Sequence, residues 1–223
     1  MKKYFNILFV LSLFVASATA QWMGSSGKEG ETVDVKVIRD GIDGTVIELR
    51  VPGFYLSNLE IQGKTYSVVS LPKVGTFLNK GFPKLPKLNQ NIVIPDNAKM
   101  NFEIVEAEYE TTHVSPVAPS KGGLPISTDP ETVPYTFDSI YQSDTWWPQS
   151  VIELSDPFIL RDVRGITVQF NMFRHNAVRG ELLVCKRLVV RIFPDGIGAI
   201  NVMENRKWKT SKDFLNLYKN VFM

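Results

Sequence analysis

Val33, Val35 and Val37 alternate with Asp34 and Lys36, and after the turn-like Asp40-Gly41-Ile42-Asp43-Gly44 the residues Ile47, Leu49 and Val51 alternate with Glu48 and Arg50. Two period-2 runs around a Gly/Asp turn predict a hairpin with one buried face. Leu56 to Ile61 and Tyr66 to Leu71 predict two further short strands separated by Gln62-Gly63-Lys64. GFPKLPKLNQNIVIP (81–95) differs, because Pro83 and Pro86 cannot donate ladder hydrogen bonds. That composition predicts an extended edge segment, with Leu85 and Leu88 free to pack inward before Ile92 and Ile94 resume a strand. Met100 to Tyr109 follows, and Ile166 to Phe173 is strand-like. Glu181 to Phe193 is the strongest run: Leu182, Val184, Leu188, Val190 and Ile192 against Leu183, Cys185, Val189 and Phe193. Apolar residues on both faces predict a central strand between packed layers. Only KTSKDFLNLYKNVFM changes period: Phe214, Leu217, Tyr218 and Val221 predict a short terminal helix, with Ser211 or Asp213 as N-cap. The class is therefore all-β, a β-sandwich with a short C-terminal helix.

One stretch breaks the pattern. APSKGGLPISTDPETVP (118–134) holds four prolines and two glycines and has no alternation, although strand-like sequence flanks it on both sides. A connection of this length without structure of its own is uncommon in a compact domain and is usually functional or disordered. It contains no histidine or cysteine, so it is not expected to do chemistry itself.

The N-terminus belongs to a different physics. In MKKYFNILFVLSLFVASATA, Lys2 and Lys3 precede an apolar middle from Phe5 to Val15 and a small-residue end, which is the form of an export signal cut between Ala20 and Gln21. The apolar run is short for a membrane anchor, since the hydrocarbon layer is about 30 Å thick. Removing these residues takes away two of the 25 lysines and arginines, leaving 23 against 23 acidic residues. A neutral domain has no electrostatic reason to bind nucleic acid or, once the signal is gone, an anionic membrane. Residues 21–31, with GSSGKEGE, read as a flexible lead-in, 32–209 as the sandwich and 210–223 as the helical tail.

Candidate chemistry is sparse. Cys185 is the only cysteine and cannot form an intramolecular disulfide. Mid-strand among Leu183 and Val184 it reads as a buried thiol, with Lys186 and Arg187 the only features that favour a reactive thiolate. His113 and His175, the only histidines, are too few for an ordinary zinc site. No cofactor is expected. Trp146-Trp147 would serve carbohydrate if exposed as a flat patch, and otherwise fills a corner. In LSDPFILRDVRG (154–165), Asp156, Arg161, Asp162 and Arg164 alternate charge around apolar residues, as a loop-fixing network or docking face would, or as a solvated ion-pair cluster.

With those residues in view, the chain resembles the propeptide of the gingipain family of secreted bacterial cysteine endopeptidases. FPKLPKLNQNIVIPDNAKMNFEIVEAEY, VAPSKG (117–122), DPETVPY (129–135), LSDPFILRDVRG and LYKNVFM carry the resemblance in order along the chain. It implies a jelly-roll-like pro-domain that assists folding and keeps the zymogen latent, with the cognate cysteine peptidase domain as its partner in cis and the catalytic residues outside these 223 positions. It implies that the 118–134 loop reaches the substrate cleft, so that Lys121, Gly122, Leu124, Ile126, Ser127 and Asp129 form an inhibitory loop. Where trypsin-like members place a basic pocket-filling residue, the aligned position here is Ile126; the alternative is Lys121 in a shifted register. Arg206-Lys207 and Lys209 are basic sites before the terminal helix that read as a maturation cut or as a solvated polar turn with the junction beyond Met223, and the sequence assigns neither. The competing expectation is a stand-alone secreted sandwich that binds carbohydrate or protein.

Overall fold

The computed structural model describes residues 20–24, 27–41, 43–204 and 212–223. The export signal up to Thr19, Arg206-Lys207, Lys209 and the helix-capping candidate Ser211 lie outside them. Among the described residues the strands form three sheets. β1 (Gln21–Gly24), β4 (Gly53–Ile61) and β5 (Lys64–Ser70) pair in the order β1-β4-β5. A second sheet holds β6 (Gly75–Thr76), β7 (Pro86–Val93), β9 (Ile152–Leu154), β10 (Phe158–Leu160) and β11 (Val163–Phe170), ordered β10-β11-β7-β6 with β9 also on β11. The third holds β2 (Asp34–Gly41), β3 (Gly44–Arg50), β8 (Ala98–His113), β12 (Phe173–Asn176) and β13 (Glu181–Ile197). One core joins all three sheets, with Ile47, Val168, Phe170, Phe173, Leu182 and Ile192 fully enclosed. The result is an all-β, jelly-roll-like sandwich closed by the short helix α1 (Leu215–Val221).

The predicted hairpin forms as β2 and β3, with Val35 opposite Leu49 and Val37 opposite Ile47. The Gln62-Gly63 turn also forms, both residues at positive φ, where glycine is at ease and other residues are uncommon. β13 is central as its pattern requires. It pairs with β8 along its length, and β12 and β3 share its other edge. β8 is consequently an outer strand; its Glu103, Glu106 and Glu110 pair with Arg191, Arg187 and Lys186 of β13.

Two expectations are corrected. The lead-in begins as a strand, since Gln21 to Gly24 pair antiparallel with Leu56 to Gly53. Trp22 explains it: the indole meets Tyr55 edge-on at 4.9 Å, an apolar contact that offsets the entropy of ordering a terminus. The proline-containing segment is interior rather than an edge. β7 lies between β11 and β6, and residues 82–84 pair with 118–120. The prolines are tolerated because the neighbouring residues make the bonds: Lys84 N–H donates to Ala118, and the Phe82 carbonyl accepts from Ser120. At the far end Asp213 lies within a 3-10 turn (Lys212–Phe214), and the N-cap position of α1 is Phe214, which makes no side-chain cap.

Candidate functional site

The long loop starts as part of a sheet. The Ser67 N–H donates to the Pro116 carbonyl and the Ser67 carbonyl accepts from Ala118, which makes 116–118 a parallel neighbour of β5. On the other side Ala118 and Ser120 bond to Lys84 and Phe82, and Gly81 N–H donates to Ser120. Residues 117–120 are buried. Val117 is held twice more. Its N–H donates to His175 Nε2 at 3.4 Å, and its carbonyl accepts from the Tyr141 hydroxyl at 2.6 Å. Burial raises the Tyr141 pKa, so the hydroxyl keeps the proton it donates. Burial pushes His175 down to about 4, so the ring is a neutral acceptor at ordinary pH.

From this base an arch projects. Gly122 turns at φ +93° and its N–H donates to Ser120 Oγ. The returning limb contains a 3-10 turn (Pro130–Thr132), capped by Asp129, whose Oδ1 accepts from Glu131 N–H at 3.0 Å. Lys121 joins the two limbs: Nζ donates to the Pro130 carbonyl at 2.7 Å and lies 4.2 Å from the centre of the Tyr135 ring. Between the limbs and the sandwich is a cavity of about 380 Å³, lined by Leu59, Val68, Leu78, Leu124, Pro130 and Tyr135 among others. At the apex Thr128 N–H donates to the Pro125 carbonyl, closing a turn on Ile126 and Ser127. Ile126 is fully exposed there, beyond any other large apolar side chain among the described residues.

Asp156, Arg161, Asp162 and Arg164 divide into separate tasks. Arg164 is 1% exposed, and its guanidinium donates to the carbonyls of Pro95, Ala98, Ile200 and Asn201 at 2.7–2.9 Å. Burial lowers its pKa and the charge of Asp96 opposes that shift. Arg161, at φ 59°, lies 3.9 Å from the Phe214 ring centre, and Asp162 accepts from the Tyr218 hydroxyl. These two fix α1, whose Tyr218 packs on Val163 together with the C-cap residue Phe222. Asp156 is exposed. The motif staples backbone and tail together, and its most buried member faces inward, away from any partner.

The other candidates are structural. Cys185 is 2% exposed and burial, then Glu108, pushes its thiol up to about 12, which leaves no thiolate for chemistry. His113 ends β8 at the surface. Trp147 packs between Phe77 and Phe82 at 5.7 and 4.5 Å, and Trp146 is half-buried with Arg174 5.9 Å away. The flat exposed pair that a sugar would need is not formed. Among the described residues no group of three or more His, Cys, Asp or Glu is placed to hold a metal. Tyr141, Tyr135 and Ser67, which pin the loop, were not singled out by the sequence.

Fold and site together define a β-sandwich domain that displays one hydrogen-bonded loop with an uncharged tip. Residues 26–222 match Propeptide_C25, and the chain belongs to that family. It is similar to Gingipain R2 of Porphyromonas gingivalis, 26% identical over 223 residues, and to Gingipain R1 of the same organism, 27% over 224 residues. All of this chain is aligned in both, but only 30% and 13% of those relatives' length. A solved complex of the Porphyromonas gingivalis RgpB pro- and mature domains matches with a TM-score of 0.77 at 26% identity, over 85% of this chain and 96% of that one. A structure addressing zymogenic latency of gingipain K matches with a TM-score of 0.66 over 80% and 100%; at 17% identity it speaks for the fold alone. The chain is the propeptide region of a gingipain-type precursor and not its peptidase domain.

Proposed function

We propose that this domain keeps a gingipain-type cysteine peptidase latent by laying the 118–134 loop over its catalytic cleft, and that it assists that domain's folding. The observation that carries the reading is the exposed apex at Ile126 on an arch whose limbs are pinned to the sandwich and to each other. A loop already held in one shape gives up little conformational entropy on binding, and this is what an occluding segment needs. Gly122 sets the turn into the arch, Asp129 caps its return, Leu124 lines the cavity beneath it, and Ile126 and Ser127 form the tip.

Residues 1–20 direct export, with cleavage between Ala20 and Gln21; β1 starts at Gln21, so the cut falls at the edge of folded structure. No helix among the described residues is long and apolar enough to cross a membrane. The domain travels to the periplasm and then, with its peptidase, to the cell surface or beyond.

The test is inhibition of the cognate peptidase domain by the exported chain, with and without residues 124–127 replaced by a Gly/Ser tetrapeptide. Inhibition abolished by the replacement, at unchanged thermal stability, is the expected result. Inhibition that survives it moves the contact off the loop, and no inhibition by either chain removes the latency reading.

A further inference from the structure

We infer that the polypeptide following Met223 in the precursor adds as a parallel strand to the free edge of β7, with the Val93 backbone as its docking point. The inference rests on the reading of this chain as the propeptide region of a longer precursor, and adds where the connection to the peptidase is held.

Opposed residues in an antiparallel ladder alternate between bonded and non-bonded pairs, so every second residue of β7 turns its N–H and carbonyl away from β11. Ile94 N–H donates to the Arg164 carbonyl and so faces β11. Asn91 lies opposite Thr167, and Val93 opposite Gly165. Thr167 uses both of its backbone groups on Ser155: its N–H donates to Oγ at 3.0 Å, and its carbonyl accepts from the N–H at 2.9 Å. Asn91 and Val93 therefore face the other edge, which β6 covers only at Pro86 and Lys87.

The tail already occupies the start of that edge. Phe222 leaves the helix for extended backbone, at φ −109° and ψ 151°, and forms a parallel bridge with Asn91. Met223 N–H donates to the Asn91 carbonyl at 2.9 Å, and Asn91 Nδ2 donates to the Val221 carbonyl at 3.2 Å. Stacking of the Phe222 ring on Phe158 at 6.0 Å fixes the exit direction. A parallel ladder then dictates the next two bonds. Val93 N–H donates to the Met223 carbonyl, and the second residue beyond Met223 donates its N–H to the Val93 carbonyl. Among the described residues no hydrogen bond is made to the Val93 backbone, and the residue is 53% exposed. An exposed edge of this kind is what main-chain strand addition recognises. Further along the same direction lies a groove of 430 Å³ lined by Val93, Pro95, Asp96, Asp40 and Thr45 among others, with room for the residues that come next. Backbone held in this way is cut only when it opens, so the bonds beside Met223 are shielded while the strand is in place.

The test uses the precursor, from Gln21 through its peptidase domain, with the peptidase inactivated so that it cannot process itself. Hydrogen exchange of the Val93 amide is compared with that in residues 21–223 alone. Slowing by about 10-fold or more in the precursor, with Ile92 and Ile94 equally protected in both, is expected. A second precursor carries proline two residues beyond Met223, which removes the N–H that meets Val93 and leaves the sandwich untouched. It should return Val93 to the exchange rate of residues 21–223 alone, at an unchanged melting temperature. Equal Val93 exchange in the precursor and the shorter chain, or protection that survives the proline, would overturn strand addition. Inhibition enters neither readout, so strand addition and latency fail separately. A reading frame with no peptidase beyond Met223 would remove both.

Discussion

Lys121 is tied to Pro130 across the arch, Nζ to carbonyl oxygen at 2.7 Å, with the ring of Tyr135 beneath the ammonium group. A residue that sequence alignment offers as a rival for the partner's pocket is therefore the brace that holds the tip in shape. Lys121→Met should leave global stability within about 0.5 kcal/mol, as surface substitutions usually do. Yet it should speed proteolytic nicking between residues 121 and 135 and weaken inhibition several-fold. Lys121→Arg, which keeps a donor and a cation over the ring, should restore most of both; equal nicking of all three chains would refute the brace.

Arg164 should be the most destabilising site in the LSDPFILRDVRG segment. Arg164→Met leaves the carbonyls of Pro95, Ala98, Ile200 and Asn201 without their shared donor. A loss of about 3 kcal/mol or more in urea unfolding is expected. Lysine should not rescue it, because one ammonium cannot reproduce the planar fork. Asp156→Asn, at an exposed position, should change stability by less than about 0.5 kcal/mol.

The pH dependence should have a component from His175. Its folded pKa of about 4 lies below the ordinary 6.5, so the unfolded chain binds the extra proton between those values. Stability is then fully present above about pH 6.5 and falls as the pH drops towards 4, by about 3 kcal/mol in all. His175→Gln should flatten that segment of the profile. Asp144, lowered mainly by its bond from Arg179 and then by Asn176, acts in the same sense, because there too the unfolded chain binds the extra proton. Its contribution is present above the normal carboxylate value and lost only at lower pH, so the two can be separated by titration of unfolding free energy.

Cys185 should not react with iodoacetamide at pH 7.5 in the folded chain and should react readily in denaturant. Cys185→Ala should retain full inhibition. Rapid alkylation without unfolding would contradict the buried strand position.

Gly165→Ala should loosen the C-terminal helix. A Cβ there would sit 2.5 Å from Phe222 Cε1 and 2.9 Å from Phe158 Cζ, so the rings that clamp the tail must separate. Faster hydrogen exchange over 215–223, with β13 still protected, is the expected signature.

Local periodicity was enough for the β2–β3 hairpin, the Gln62-Gly63 turn, the central strand at 181–193 and the terminal helix, because each shows its apolar alternation or its turn residues within a few residues of chain, although β2 itself stays largely exposed. The ordered motifs of 80–223 carried the family resemblance, and the matched span confirms it. Pairing partners were not legible. Gln21–Gly24 is too short to show a period and is a strand because β4 offers it an edge and Tyr55 receives Trp22. Pro83 and Pro86 suggested an edge by what they cannot donate, but whether a neighbour approaches depends on 118–120, which come more than thirty residues later.

The loop divides in the same way. Its length, prolines, glycines and lack of histidine or cysteine marked it as an unusual connection not expected to do chemistry, and the family resemblance supplied a binding role. Which of its side chains faces outward was decided by contacts that no local pattern encodes: Lys121 found Pro130 and Tyr135, Leu124 found the cavity beneath the arch, and Ile126 is left fully exposed. Side-chain period is a property of consecutive residues, whereas exposure depends on what the rest of the chain brings alongside, and only the tertiary structure supplies that.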